Sequence, residues 1–170
     1  MRVPVVCAVL LSQWMLAATA PAPPGAADPQ TATAYCDFDD GYQISVQYNS
    51  SEVSEKEQPR NGKVWAPGGS PLVLYAQTAL VLNGTQIPVG AYTMYVIPGK
   101  KDWTLIVNRN VTAGSPYDEK QDLARAPMEL GEIGEATRQL QVSFAHAGAK
   151  QCSLRVYYGK TGAFVGFSER

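Results

Sequence analysis

Apolar and polar side chains alternate along several segments of the chain, and this alternation predicts β-strands. In residues 42–48 every second residue is apolar and each residue between is polar, and residues 139–146, 152–158 and 103–107 follow the same pattern. Successive side chains of a strand point to opposite faces, so each segment is expected to turn one face to the core and the other to water. Residues 91–97 are apolar on both faces, which predicts a central strand.

Turn signals between these segments support an all-β fold. Asn83-Gly84 separates two short apolar runs and is a strong signal for a two-residue hairpin turn. A second hairpin is expected where Pro98 and Gly99 precede the alternating segment near residue 103. Helical signals are confined to residues 115–125, which could hold one or two turns. With about eight or nine short strands, the sequence predicts a single β-sandwich, with a jelly-roll arrangement as one option and at most one short helix.

The first twenty residues have the order of a secretory signal peptide. Arg2 is followed by a mostly apolar run over residues 3–16, and small residues lead to a cleavage site after Ala20. An uncleaved membrane anchor is the alternative, but the apolar run is shorter than the roughly 20 residues that span a bilayer. No later stretch is long and apolar enough for a transmembrane helix. The sequence therefore predicts a secreted or periplasmic protein.

After cleavage, the chain divides into a leader and one domain. Residues 21–34 are rich in Pro, Ala and Thr and are expected to form a flexible leader, with the β-sandwich domain over residues 35–170. The full chain has 15 acidic and 14 basic residues, and its basic residues do not cluster. A nucleic-acid partner is therefore not expected, since it would require a basic face.

Cysteine positions indicate one disulfide. Of the three cysteines, Cys7 would leave with the signal peptide, so Cys36 and Cys152 remain as a pair. In an oxidising compartment an even pair predicts a disulfide, and both cysteines share a strand face with apolar neighbours. Two buried thiols or a metal pair are the alternatives. The distance between them in sequence and the single His of the chain make a zinc site a poor match, and no cofactor is expected.

Three stretches together resemble the bacterial family called domain of unknown function 2911. They are Gly62-Lys63-Val64-Trp65, the run from Ile87-Pro88-Val89-Gly90 to Ile97-Pro98-Gly99, and Trp103-Thr104-Leu105-Ile106-Val107-Asn108, with Tyr117-Asp118-Glu119-Lys120-Gln121-Asp122 downstream. The resemblance implies an exported, β-rich protein and supplies no activity. It departs after Trp65, where the family commonly has a polar turn and this chain has Ala66-Pro67-Gly68-Gly69-Ser70.

The strongest polar cluster contains Tyr117, Asp118, Asp122 and Arg125. If this segment is helical, Asp118, Asp122 and Arg125 share one face, where two carboxylates beside a guanidinium could bind a ligand or act as an acid–base pair. The alternative is a capped surface helix in which Arg125 neutralises Asp122.

Aromatic residues offer a second candidate. Trp65 and Trp103, with nearby tyrosines, could form a platform for a sugar. Trp103 lies in a strongly alternating segment and is expected in the core, so Trp65 is the more plausible exposed ring. His146, the single His, lies on the apolar face of its segment and is expected to be packed and hydrogen-bonded rather than a general base.

Two further motifs favour structural interpretations. Asp37, Asp39 and Asp40 precede Gly41 and could supply calcium ligands, but an Asp- and Gly-rich turn is the simpler interpretation. Three glycosylation sequons begin at Asn49, at Asn83 in the predicted hairpin turn, and at Asn110; in a bacterial protein they would carry no such meaning.

The sequence leaves two functional hypotheses. The first is a non-catalytic binding or envelope-associated module whose partner is a glycan or a small molecule. The second is a carbohydrate-active or other hydrolytic domain that uses acidic residues near 118–122. The second gains support if Trp65, the 117–125 cluster and Arg109 line one concave pocket.

Overall fold

The computed structural model describes residues 30–54 and 58–170. This part of the chain folds into eleven β-strands. They are β1 (Gln30–Asp37), β2 (Gln43–Ser50), β3 (Leu72–Ala76), β4 (Leu80–Leu82), β5 (Thr85–Ile87), β6 (Gly90–Ile97), β7 (Asp102–Asn108), β8 (Asp122–Glu132), β9 (Gln141–Gly148), β10 (Gln151–Tyr158) and β11 (Thr161–Glu169). The predicted signal peptide and the leader up to residue 29 lie outside the described residues.

All strands join one antiparallel sheet in the order β1-β2-β3-β6-β7-β8-β11-β10-β9, with the β4–β5 hairpin attached to β11. The all-β class and the central position of β6 follow the alternation pattern. The hairpin turn lies at Asn83-Gly84, where both residues have positive φ (47° and 79°), as a primed two-residue turn requires.

The expected division into two packed sheets is not confirmed, because β8 joins the two halves of the sheet. The first part of β8 pairs with β7, and its last residues, Glu129 to Glu132, pair with β11. The sheet therefore stays continuous and curls until it nearly closes into a barrel. Residue 139, just before β9, forms a bridge with Glu52 beyond the end of β2, and this contact brings the two ends of the sheet together.

The interior of the curled sheet is apolar. It is filled by alternate side chains from every long strand, including Ile44, Leu74, Met94 and Phe167, all fully buried. Burying such side chains stabilises the fold by about 1.5–3 kcal/mol each relative to leaving them exposed. Where the sequence alternates, as around Ile44 in residues 42–48, the apolar parity corresponds to this core.

A disulfide connects the first strand of the sheet to a late one, as predicted. Cys36 of β1 bonds Cys152 of β10, with Cα atoms 6.3 Å apart and a sequence separation of 116. Both side chains are buried in the core. A structural disulfide of this kind is typical of proteins that fold in an oxidising compartment outside the cytoplasm.

The structure corrects two sequence-based boundaries. The folded domain begins before Tyr35, because residues 30–34 of the expected flexible leader are part of β1 and pair in register with β2. Residues 115–125 contain only a short 3₁₀ turn, Glu119–Gln121, and β8 begins directly after it at Asp122.

No helix in the described ranges has the length and apolar character needed to cross a membrane.

Candidate functional site

A concave surface lies on the outer face of the sheet. Its floor is formed by side chains of β2, β3 and β6 that point away from the core: Gln47, Asn49, Val73, Thr93 and Tyr95. We call this surface the outer cleft. Its volume is about 600 Å³, within the range of small-molecule sites, about 300–1,000 Å³.

One wall of the outer cleft is the turn that follows Trp65. Pro67–Gly69 form a 3₁₀ turn, and Ala66, Gly69 and Ser70 face the cleft. Gly68 has a φ of +79°, and a Cβ there would collide with the carbonyl oxygen of Asn49. The turn can therefore approach β2 only with glycine at this position. The Asn49 Nδ2 also donates to Ser70 Oγ (3.0 Å), which fixes the wall against the floor.

The opposite wall is the loop over residues 109–118, which we call the outer loop. It packs on Tyr95 through Tyr117 and on Asn108, whose Nδ2 donates to the Asp118 carbonyl (2.8 Å). Both Tyr95 and Asn108 are buried although they point away from the core. The Thr93 hydroxyl donates to the carbonyl of Asn110 (2.9 Å) and holds the start of the loop on the sheet.

A network centred on Asp122 holds the end of the outer loop. Its Oδ1 accepts from Asn108 Nδ2 (2.8 Å), and its Oδ2 accepts from the Tyr117 hydroxyl (2.7 Å) and from both Nε (2.8 Å) and Nη2 (2.6 Å) of Arg125. Arg125 Nη2 also contacts Glu119 Oε1 at 2.8 Å. The Asp122 side chain is only 12% exposed. A carboxylate with this many donors is committed to structure, because a ligand could engage it only by breaking those bonds.

The network changes the acidity of its members. Burial, the hydrogen bond to Asp122 and the nearby negative charge raise the pKa of Tyr117 to about 12, and these effects outweigh the opposing influence of Arg125. The hydrogen bonds from Arg125 to Asp122 raise the pKa of the guanidinium above its ordinary value. Tyr117 is therefore a neutral phenol at physiological pH. Its ring packs edge-on against Tyr95, with centroids 5.0 Å apart.

The structure places the predicted cluster residues in different roles. Asp118 and Asp122 do not share a helix face, because the segment turns only once before entering β8. The Asp118 carboxylate caps this turn by accepting from the Lys120 backbone N–H (3.0 Å). Arg125 neutralises Asp122, as in the structural alternative, and Tyr117 is the one cluster member that lines the outer cleft.

The comparison with known families agrees with the motifs in the sequence. A family model described as a protein of unknown function (DUF2911) matches residues 29–167. The chain belongs to the DUF2911 family. No curated protein and no solved structure matches it. The match begins one residue before β1 and ends within β11, so the DUF2911 region and the folded domain coincide.

In this DUF2911 protein, Trp65 lies beside the outer cleft but does not line it. Its ring is half-buried between Trp103 (5.7 Å between centroids) and Tyr158 (5.0 Å), both approached edge to face. Its backbone forms two hydrogen bonds with Val96. Trp65 thus packs against the core, with Trp103 in the core as expected, and Trp65, Arg109 and the 117–125 cluster do not line one pocket.

The expectation that His146 is packed is wrong. Its side chain is 49% exposed and its Nε2 lies 3.2 Å from Asp39 Oδ1. His146 pairs directly with Cys152 and keeps the inward parity of Phe144, but β9 is the last strand in the sheet order and His146 lies near its end, which leaves the ring exposed beside Asp39. Asp40 accepts from the Tyr42 backbone N–H (3.2 Å), as expected for a plain turn.

Sequence reasoning missed the residues that form the floor of the outer cleft. Gln47, Val73 and Thr93 come from three strands, and their pairing across β2, β3 and β6 brings them into one row. One signal was available in the sequence. The outward positions of these strands are uncharged, which is uncommon for a face that only meets water.

Proposed function

We propose that this protein is an exported, non-catalytic binding module, secreted or periplasmic, whose outer cleft holds an uncharged polar ligand such as a glycan. The observation that carries this proposal is the chemistry of the outer cleft. Its lining combines amides, hydroxyls and tyrosine rings and includes no Asp, Glu, Lys, Arg or His among the described residues.

The polar groups of the cleft suit a ligand rich in hydroxyl groups. Gln47 and Asn49 each offer both a donor and an acceptor, and Thr112 and Ser115 add hydroxyls on the opposite wall. Tyr117, half-buried and packed on Tyr95, supplies aromatic surface. A few placed polar groups within an apolar and aromatic lining are the usual construction of a small-molecule site.

The positions of the carboxylates favour binding over hydrolysis. Glycoside hydrolysis ordinarily requires two carboxyl groups on either side of the bond that breaks. Asp118 caps a turn, Asp122 is saturated by Asn108, Tyr117 and Arg125, and neither lines the cleft. The hydrolytic alternative would need one of them to leave its partners.

Export is supported by two independent observations. The buried Cys36–Cys152 disulfide is stable in an oxidising compartment. The first twenty residues have the order of a cleavable signal peptide. A ligand of the cell surface or the periplasm is accessible to a protein in that location.

A glycan array with the secreted protein tests the proposal. Ala113 is exposed and lines the cleft, so Ala113→Trp should fill the cleft and abolish the binding of neutral glycans. Ala136 is also exposed and lies in a different surface depression, so Ala136→Trp is the matched control and should bind like the wild type. Equal binding by both variants, or no glycan bound by the wild type, would contradict the proposal.

A turnover assay separates the two hypotheses. The glycans bound on the array are incubated with the wild type and with Asp122→Asn, and new reducing ends are measured. We expect none from either protein. Reducing ends released by the wild type and lost in Asp122→Asn would favour hydrolysis instead.

A further inference from the structure

Two exposed tyrosines lie in one row on the outer face of the sheet. The pairing of β1, β2, β3 and β6 places Tyr35 opposite Ser45, Ser45 opposite Tyr75, and Tyr75 opposite Ala91. Tyr35 is 63% exposed and Tyr75 is 44% exposed. Neighbouring strands are about 4.8 Å apart, so the two tyrosine backbones are about 10 Å apart with the small Ser45 between them. We call these residues the tyrosine row.

The tyrosine row continues directly into the outer cleft. The next outward row, two residues further along each strand, is Thr33, Gln47, Val73 and Thr93, and the last three form the cleft floor. The Tyr75 hydroxyl lies 3.5 Å from Gln47 Oε1 and links the two rows. Two residues along a strand advance about 6.8 Å, so this distance separates the backbone of the tyrosine row from the backbone of the cleft floor.

The combined surface is uncharged. Neither the tyrosine row nor the row beside it contains an ionisable acid or base other than tyrosine. A charged polymer would find no counter-charge here, whereas a neutral polymer with apolar ring faces and hydroxyl edges matches both the tyrosines and the amides.

From this continuity we infer that the ligand is an extended neutral oligosaccharide, which occupies the outer cleft with one part and lies across the tyrosine row with the next. This inference rests on the proposed function and specifies its ligand. The cleft determines whether a sugar binds, and the tyrosine row adds affinity only for chains long enough to reach it.

Paired short and long sugars test the inference by calorimetry. The probes are cellobiose and cellohexaose, maltose and maltohexaose, and chitobiose and chitohexaose. For the series that binds, the longer sugar should bind the wild type about tenfold more tightly, a difference of about 1.4 kcal/mol. The double variant Tyr35→Ala/Tyr75→Ala should bind the longer sugar no more tightly than it binds the disaccharide.

Tyr42→Ala is the matched control. Tyr42 is 51% exposed but precedes β2 and has the parity of the inward-facing Ile44, so it lies outside the tyrosine row. This variant should keep the preference for the longer sugar. Melting curves of the three proteins check that they fold equally well.

The outcomes distinguish this inference from the proposed function. If wild-type affinity does not depend on chain length, or if Tyr35→Ala/Tyr75→Ala keeps the preference for the longer sugar, the tyrosine row is not a binding surface. In that case a loss of sugar binding in Ala113→Trp would still support the outer cleft. If no series binds the wild type, the inference is contradicted, and the glycan array alone decides the proposed function.

Discussion

The two faces of this sheet are stabilised in different ways. The inner face is a continuous apolar core, in which the Cys36–Cys152 disulfide links β1 to β10. The outer face, below the outer loop, is held by a polar network in which Asp122 accepts from Asn108, Tyr117 and Arg125. Apolar burial is non-directional and tolerates small shifts, whereas hydrogen bonds fix positions to within a few tenths of an ångström. The inner face thus stabilises the fold, and the outer network positions one wall of the cleft.

The two faces are expected to differ most in how much free energy of unfolding is lost when a phenylalanine of β11 is replaced by alanine. Phe167 is fully buried in the core, so Phe167→Ala should lower the free energy of unfolding by about 3–5 kcal/mol. Phe164 points outward, is half-buried and packs edge-on against Tyr157 (6.0 Å between centroids), so Phe164→Ala should cost about 1–2 kcal/mol. Urea denaturation measures both. Equal losses would mean that the outer face carries as much apolar stabilisation as the core.

Removal of the disulfide is expected to have the next largest effect. Cys36→Ala/Cys152→Ala should lower the free energy of unfolding by about 2–4 kcal/mol, because the disulfide closes a loop of more than one hundred residues in the unfolded chain. A reductant provides the control. It should destabilise the wild type by a similar amount and leave the double variant unchanged. A double variant as stable as the oxidised wild type would show that the sheet stays closed without the bond.

The contrast between the faces also explains how much could be predicted from the sequence. Alternation revealed the inner face, since Cys36, Ile44 and Cys152 each follow the period of their strand, and it led to the all-β class and the disulfide. It missed β8, because the charged residues before Arg125 suggested a helix and the inward residues Ala124 and Ala126 are small.

The candidate site was less accessible to sequence reasoning. Its floor depends on the lateral order of β2, β3 and β6, and periodicity within one strand does not specify which strand pairs beside it. The role of Asp122 depends on donors, such as Asn108, that reach it only in the folded sheet. The cluster itself was noticed, but its role as an anchor of the outer loop required the tertiary contacts.

A substitution in the outer network tests whether it positions the cleft wall. Asp122→Asn preserves shape but presents an amide to Tyr117 or Arg125 and removes the charge, so it should cost about 1.5–3 kcal/mol. Asp118→Asn is the matched control and should be nearly neutral, since asparagine also caps turns well. Limited proteolysis should cut within residues 109–118 faster in Asp122→Asn alone. Unchanged proteolysis in Asp122→Asn would show that the outer loop is held by other contacts.

The smallest expected effect on stability comes from the ionisation of Tyr117 at high pH. Its pKa rises from 10.0 to about 12 on folding, so above pH 10 the unfolded chain loses this proton before the folded protein does. The contribution of Tyr117 to stability is therefore complete below pH 10 and decreases as the pH rises towards about 12. In urea denaturation between pH 10 and 11, Tyr117→Phe should show a shallower loss of stability than the wild type.

Asp122→Asn should lower the Tyr117 pKa in an ultraviolet titration, because it removes the hydrogen-bonded negative charge, and Asp118→Asn should leave that pKa unchanged. If Asp122→Asn and Asp118→Asn titrate alike, burial alone raises the pKa of Tyr117, and the coupling between the outer loop and Asp122 is weaker than the hydrogen-bond geometry indicates.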